Sequence, residues 1–129
     1  MPRKKKFVVE VEKAIERIVK RLITNYRPDR IILYGSFAYG NPSEDSDIDM
    51  LIIKNSRKRR LDRGVEVRRI ADDFAKNYAF SPIVLTPAEL KRRIELGDDF
   101  VLEILDRGTT LYDRQGLPKS RRMVPTRQN

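Results

Sequence analysis

The chain has 129 residues, 36% of them charged and 40% hydrophobic, with a formal net charge of +9. At roughly 100–200 residues per domain this length implies one domain with one core, and a charged share above the usual ~25% implies a heavily solvated surface. The absence of Cys and His excludes disulfides, thiolate nucleophiles, iron–sulfur clusters, imidazole bases and Cys or His metal sites, so that any chemistry falls to carboxylates, hydroxyls, Lys, Arg and backbone, and any metal is a hard one held by oxygen.

The excess charge sits at the ends. Residues 1–6 carry Arg3, Lys4, Lys5 and Lys6, and residues 114–129 carry Arg114, Lys119, Arg121, Arg122 and Arg127, with no acid in either stretch; the remaining 7–113 balances 19 basic against 19 acidic side chains. This divides the chain into a basic N-terminal arm (1–6), a neutral domain (7–113) and a basic tail (114–129), the arms being either solubilising or clamps for a polyanion. No apolar run approaches the ~20 residues of a membrane span and no signal-peptide stretch opens the chain, so the expected location is the cytoplasm.

From Phe7 to Tyr26 the residues Val8, Val11, Ile15, Ile18, Leu22 and Tyr26 recur at helical spacing, and Val9, Ala14, Val19 and Ile23 widen the stripe enough to admit a helix-mediated homodimer. Arg27-Pro28-Asp29 ends that helix. Ile31 to Tyr34 reads as a buried strand stopped by Gly35, the turn formers Asn41 to Ser46 make a loop, and Asp47 to Lys54 reads as a second strand. The basic run Arg57-Lys58-Arg59-Arg60 precedes a helix over about 61–77 with Val65, Val67, Ile70, Phe74 and Tyr78 as its apolar face. Phe80 to Leu85 is a third strand, marked by Pro82 as an edge or bulge. Thr86-Pro87-Ala88-Glu89 has the form of a capping box and opens a helix over 87–95; a second helix over 98–107 leads through Gly108 to a last strand, 109–112. This order predicts an α/β (α+β) fold, a mixed β-sheet of about four strands with packed helices.

The chemistry is concentrated in Gly35-Ser36, ten residues, then Asp47-Ile48-Asp49. Strand alternation points Asp47 and Asp49 the same way, and two carboxylates so close repel unless a cation lies between them. Gly35 has no Cβ, and Ser36 opens a short helix whose free N–H groups suit a phosphate. Competing motifs fail: Asn41 and Pro42 stand where a P-loop needs Lys and Ser or Thr, and Met50 and Ser56 stand where an EF-hand beginning at Asp45 needs Gly and Glu.

Gly-Ser, ten residues, Asp-x-Asp on a strand, turn, strand frame resembles the signature of the DNA polymerase beta-like nucleotidyltransferases, and the chain's size resembles their minimal prokaryotic members, over about residues 10–113. The resemblance implies the polymerase-beta-like nucleotidyltransferase fold. It implies that Gly35 and Ser36 contact the β and γ phosphates of a nucleoside triphosphate, ATP first, and that Asp47 and Asp49 ligate Mg2+ (or Mn2+) and serve catalysis of nucleotidyl transfer to a hydroxyl. It further implies a partner: minimal members are paired as antitoxins with small helical HEPN proteins, some adding AMP to a tyrosine of the toxin. One short domain leaves little room for a small-molecule acceptor pocket and none for the fingers and thumb of a templated polymerase.

The family's third carboxylate, on the later strand before the Thr-Pro, falls at Ser81 in this sequence. Asp72, Asp73 and Glu89 are the nearest acids. Three functions remain open on this reading: an active magnesium-dependent transferase; a nucleotide-binding antitoxin or interaction module with little or no transfer; and a nucleic-acid-binding protein using the basic arms and the Arg57–Arg60 run. That run would lie near the site's rim or form a solvated loop, Lys54 would reach a phosphate or stand exposed, and Phe37 and Tyr39 would stack on a base or pack beneath the short helix.

Overall fold

A helix with one apolar stripe needs a surface to lie on, and here it is a four-stranded sheet. The computed structural model describes residues 3–116. In chain order it places α1 (Arg3–Asn25), β1 (Arg30–Tyr34), α2 (Ser36–Tyr39), β2 (Ile48–Ile53), α3 (Arg60–Ala75), β3 (Phe80–Leu85), α4 (Pro87–Glu95), α5 (Asp99–Arg107) and β4 (Thr109–Asp113). The sheet order is β3-β2-β1-β4, with β2 and β3 parallel and the other pairs antiparallel, a mixed α+β architecture as expected. Among the described residues no helix is long and apolar enough to cross a membrane.

Strand alternation splits the apolar residues onto two faces. Ile31, Leu33, Ile48, Met50, Ile52 and Val84 pack under α1 and α3, where the α1 stripe Val11, Ile15, Ile18 and Leu22 is buried. Those four residues are thus used inside the chain, while Val8, Val9 and Ile23, which widened the stripe, are only partly buried. Ile32, Tyr34, Leu51, Ile53 and Leu85 form a second core with Leu90, Val101 and Ile104 of α4 and α5. Strand β2 is buried on both faces, which is why it reads as an unbroken apolar run after Asp49.

Several boundaries differ from the sequence reading. Among the described residues helix α1 runs from Arg3, so residues 3–6 form its first turn and not an arm ahead of it. Val65, expected on the apolar face of α3, is 50% exposed; the buried residues of α3 are Arg63, Val67 and Ala71. Arg114, assigned to the tail, is tied to the domain in the turn just after β4: its N–H donates to Asp29 O at 2.8 Å and its guanidinium pairs with Asp29 at 2.9 Å. The rest of the expected tail, from residue 117, lies outside the described residues.

Arg63 is the one buried charge among the described residues, and it is fully engaged. Its Nε donates to Lys58 O (2.8 Å), Nη1 to Val84 O (3.2 Å), and Nη1 and Nη2 to the two carboxylate oxygens of Glu89 (2.7 and 3.2 Å). Glu89 also closes the capping box of α4, accepting from Thr86 N–H while Thr86 Oγ1 accepts from Glu89 N–H. The Arg63–Glu89 pair therefore joins α3, the end of β3 and the start of α4. The hydrogen bond from Arg63 is the main cause that holds the Glu89 carboxyl below its ordinary 4.5. A group depressed in the folded state stabilises fully above its unfolded pKa and loses that contribution as pH falls through the folded value. Glu89→Gln is expected to cost about 1–2 kcal/mol at neutral pH, Glu89 being partly exposed. Melting curves of the two proteins recorded from pH 7 downward should then converge below about pH 4.5, as the parent loses its advantage.

Candidate active site

The C-terminal end of β1 and the N-terminal end of β2 meet at one end of the sheet. There Tyr34 pairs directly with Asp49, and on the other side of β2 Asp49 pairs with Ser81 of β3. Tyr34 lies in the second core with Leu51 and Ile53, so Asp49, in phase with those two, projects on the α4–α5 face. Asp47 precedes the strand and shares that phase. Its carboxylate accepts a hydrogen bond from Ser81 Oγ at 3.3 Å.

Gly35 leaves β1 with φ 80° and ψ −163°, a region essentially closed to residues with a Cβ. A Cβ built there would overlap Asp49 Oδ2. The glycine is thus required twice, by its own backbone and by the carboxylate lying against it. Immediately after it, Ala38 N–H and Tyr39 N–H both donate to Gly35 O at 2.9 Å, closing α2, with the N–H groups of Ser36 and Phe37 ahead of the first closed turn. Ser43 and Ser46 cross-bond in the loop that returns the chain to Asp47.

Asp49 is half-buried, and its pKa is raised by burial first and by the charge of Asp47 second. Burial also pushes the Tyr34 hydroxyl up to about 12, with Asp49 and Tyr39 adding to the shift, so it stays protonated. The donors gathered here are all hard oxygens: two carboxylates and the Ser81 hydroxyl. Among the described residues no three acidic side chains gather into a metal-holding cluster. The alternative acids lie elsewhere, since Glu89 is bound to Arg63 and Asp73 pairs with Arg21 at 3.8 Å. Asp72 is exposed on α3.

The basic candidates are placed away from this end, and the two aromatic ones near it are already packed. The Arg57–Arg60 run follows the opposite end of β2; Ile53 is four residues from Asp49, about 13 Å at ~3.3 Å per residue. It is not at the rim, and Lys58 and Arg59 there pair with Glu66 and Asp62. Lys54, at the same far end, donates to Arg27 O at 3.3 Å and lies over the Tyr26 ring. Phe37 packs on Phe7 (6.2 Å between centroids), and Tyr39 packs on the second core beneath the Arg107 guanidinium, 4.0 Å from its centroid. Tyr34, read from the sequence only as the end of a buried strand, pairs with Asp49, and its ring meets that of Phe100 edge-on at 5.6 Å; its place directly before Gly35-Ser36 was the available signal.

The model of the nucleotidyltransferase domain family matches residues 14–108, which contain every element of this site. The chain belongs to the nucleotidyltransferase domain family. Among similar proteins are two from Methanocaldococcus jannaschii provisionally named protein adenylyltransferases. One is 38% identical over 93 residues, covering 70% of this chain and 62% of that protein; the other is 27% identical over 88 residues, covering 68% and 84%. The chain thus spans less than two thirds of the first relative. The crystal structure of a provisionally named nucleotidyltransferase from Sulfolobus solfataricus shares the fold with a TM-score of 0.57 at 19% identity, covering 84% of this chain and 86% of that one.

The Gly35–Asp49 contact makes a prediction within this family member. Gly35→Ala should lower the unfolding free energy by about 1–3 kcal/mol through the strained backbone, read by urea titration, whereas Gly40→Ala, with open space around its Cβ position, should cost no more than its own positive φ demands.

Proposed function

We propose that this nucleotidyltransferase-family chain transfers a nucleoside monophosphate, AMP first among them, from a nucleoside triphosphate to a hydroxyl of a protein. The observation that carries the reading is the pair Asp47 and Asp49 on one face, with the Gly35–Ser36 turn packed directly against it. Two carboxylates on one face, one of them half-buried, repel each other, and a cation between them would favour the charged form of both. Magnesium is commonly bound by one or two carboxylates completed by substrate phosphates and water, and this oxygen-only pair fits it.

Asp47 and Asp49 would hold magnesium or manganese, which supplies charge neutralisation of the triphosphate and polarisation at the α-phosphorus. Gly35, lacking a side chain, lets the β and γ phosphates approach the backbone, and Ser36 offers its N–H and hydroxyl to them. The acceptor oxygen bonds to the α-phosphorus as the bond to the β-phosphate bridge breaks; pyrophosphate leaves with the electron pair and the hydroxyl gives up its proton to water. Holding the reactants in line is the chain's main contribution. A protein acceptor is supported by the names of the Methanocaldococcus relatives, and the resemblance to minimal antitoxin transferases points to a tyrosine of a HEPN partner.

One observation favours a second reading. Ser81 stands in the register position beside Asp49 where the family resemblance expects the third carboxylate, which weakens the acceptor side and suits a nucleotide-binding module that transfers slowly. The experiment is label transfer from α-phosphate-labelled ATP to protein in source extract. We expect labelling by the parent chain and a loss of roughly a hundredfold or more in Asp49→Asn. Ser81→Asp should raise the rate. A folded parent that binds magnesium–ATP and labels nothing, with Ser81→Asp equally silent, would leave the binding module as the function.

A further inference from the structure

The site as derived accounts for phosphates and metal but leaves the base of the nucleotide unplaced. Asp49 has two neighbours across the sheet on its own face: Ser81 on one side and Tyr34 on the other. On the Ser81 side the nearby rings, Tyr78 and Phe80, pack against the first core, beneath the opposite face of the sheet. On the Tyr34 side the chain presents Phe100, whose ring meets Tyr34 edge to face, 5.6 Å between centroids at 87°. Phe100 is 48% exposed, and it is the one exposed aromatic residue among those described. The other rings at this end are occupied: Phe37 lies against Phe7, and the guanidinium of Arg107 covers Tyr39.

The position of Phe100 is rigidly held. Its neighbours Val101 and Ile104 are buried in the second core, and Asp98 caps α5 through Val101 N–H at 3.2 Å. At the other end of α5, Gly108 is pressed so close to β1 that a Cβ would meet Ile104 O, Ile32 Cγ2 and Leu33 O. Phe100 meets Tyr34 at 5.6 Å, and Tyr34 is directly opposed to Asp49, with Cα atoms about 5 Å apart in such a pair, which puts the exposed ring within a nucleoside's length of the proposed phosphate end.

We propose that Phe100, braced by Tyr34, is the platform on which the base of the bound nucleotide stacks, leaving the Ser81 side of Asp49 to the acceptor. This rests on the transferase reading above. The platform carries no hydrogen-bonding group, so it reads the π surface of a base and not its edge. Purines, with the larger surface, are held better than pyrimidines, and ATP and GTP are held alike.

The test is titration calorimetry of the full chain in magnesium with ATP, GTP, CTP, UTP and, as the ligand without a base, inorganic tripolyphosphate. The expected pattern is ATP and GTP alike and tighter than CTP and UTP. Phe100→Leu keeps an apolar side chain over Tyr34 but removes the ring. It should weaken purine nucleotides by about ten- to a hundredfold and leave tripolyphosphate unchanged, while Phe100→Trp retains nucleotide binding. Parental affinity in Phe100→Leu, an equal loss of tripolyphosphate, failure of Phe100→Trp to bind, or a site that takes ATP and refuses GTP would each overturn the platform. The two readings separate cleanly. A parent chain that binds tripolyphosphate and ATP with equal strength sinks the platform alone, and one that binds neither sinks the transferase reading along with it.

Discussion

The carboxylate of Asp49 lies against the backbone of Gly35, and the rest of the site is arranged around that contact. It demands a residue without a Cβ at the end of β1, in a conformation that only glycine adopts readily. It also brings the turn that opens α2 to within touching distance of the paired acids. Because β1 and β2 are antiparallel neighbours at the centre of the sheet, both ends of the motif arrive at one edge of the fold on a framework buried on both faces. The cost is a half-buried carboxylate beside a second one, whose repulsion a bound cation would relieve.

The opposite end of the sheet serves a different purpose. Arg63 is buried there with every guanidinium nitrogen engaged, and its partner Glu89 simultaneously caps α4. Removing one partner of such a pair leaves a buried charge uncompensated, so the pair acts as a latch between α3, β3 and α4. The basic run before α3 belongs to this end as well, where part of it is consumed in ion pairs. The Arg57–Arg60 run therefore lies at the end of the sheet opposite Asp47 and Asp49, which argues against a role for the run in holding a nucleotide.

Legibility in the sequence followed the range of the interaction. Thr86-Pro87-Ala88-Glu89 was readable as a helix start because a capping box closes within four residues, and the structure contains it. Asp47 and Asp49 were readable as facing one way because the period of a strand is two. The same period concealed the second core, since β2 is apolar on both faces and offers no alternation to read after Asp49. Val65 was misplaced for a related reason: α3 has a weak stripe, and buried Arg63 takes a position that hydrophobicity alone would not assign. Arg57–Arg60 was drawn toward the site by nearness in sequence, although an extended strand carries the chain across the whole sheet in six residues.

By itself the sequence determined which elements form, which residue types are available for chemistry, and the turn-and-carboxylate motif that identifies the family, because all of these rest on spacings of a few residues. Only the tertiary structure decided what stands beside that motif. Parallel pairing of β3 with β2 sets Ser81 next to Asp49, and the crossing of α5 over the second face sets Phe100 against Tyr34, more than sixty residues away in sequence. Such juxtapositions depend on strand order, register and the phase of a packed helix, quantities that belong to the whole sheet and to no local window of the chain.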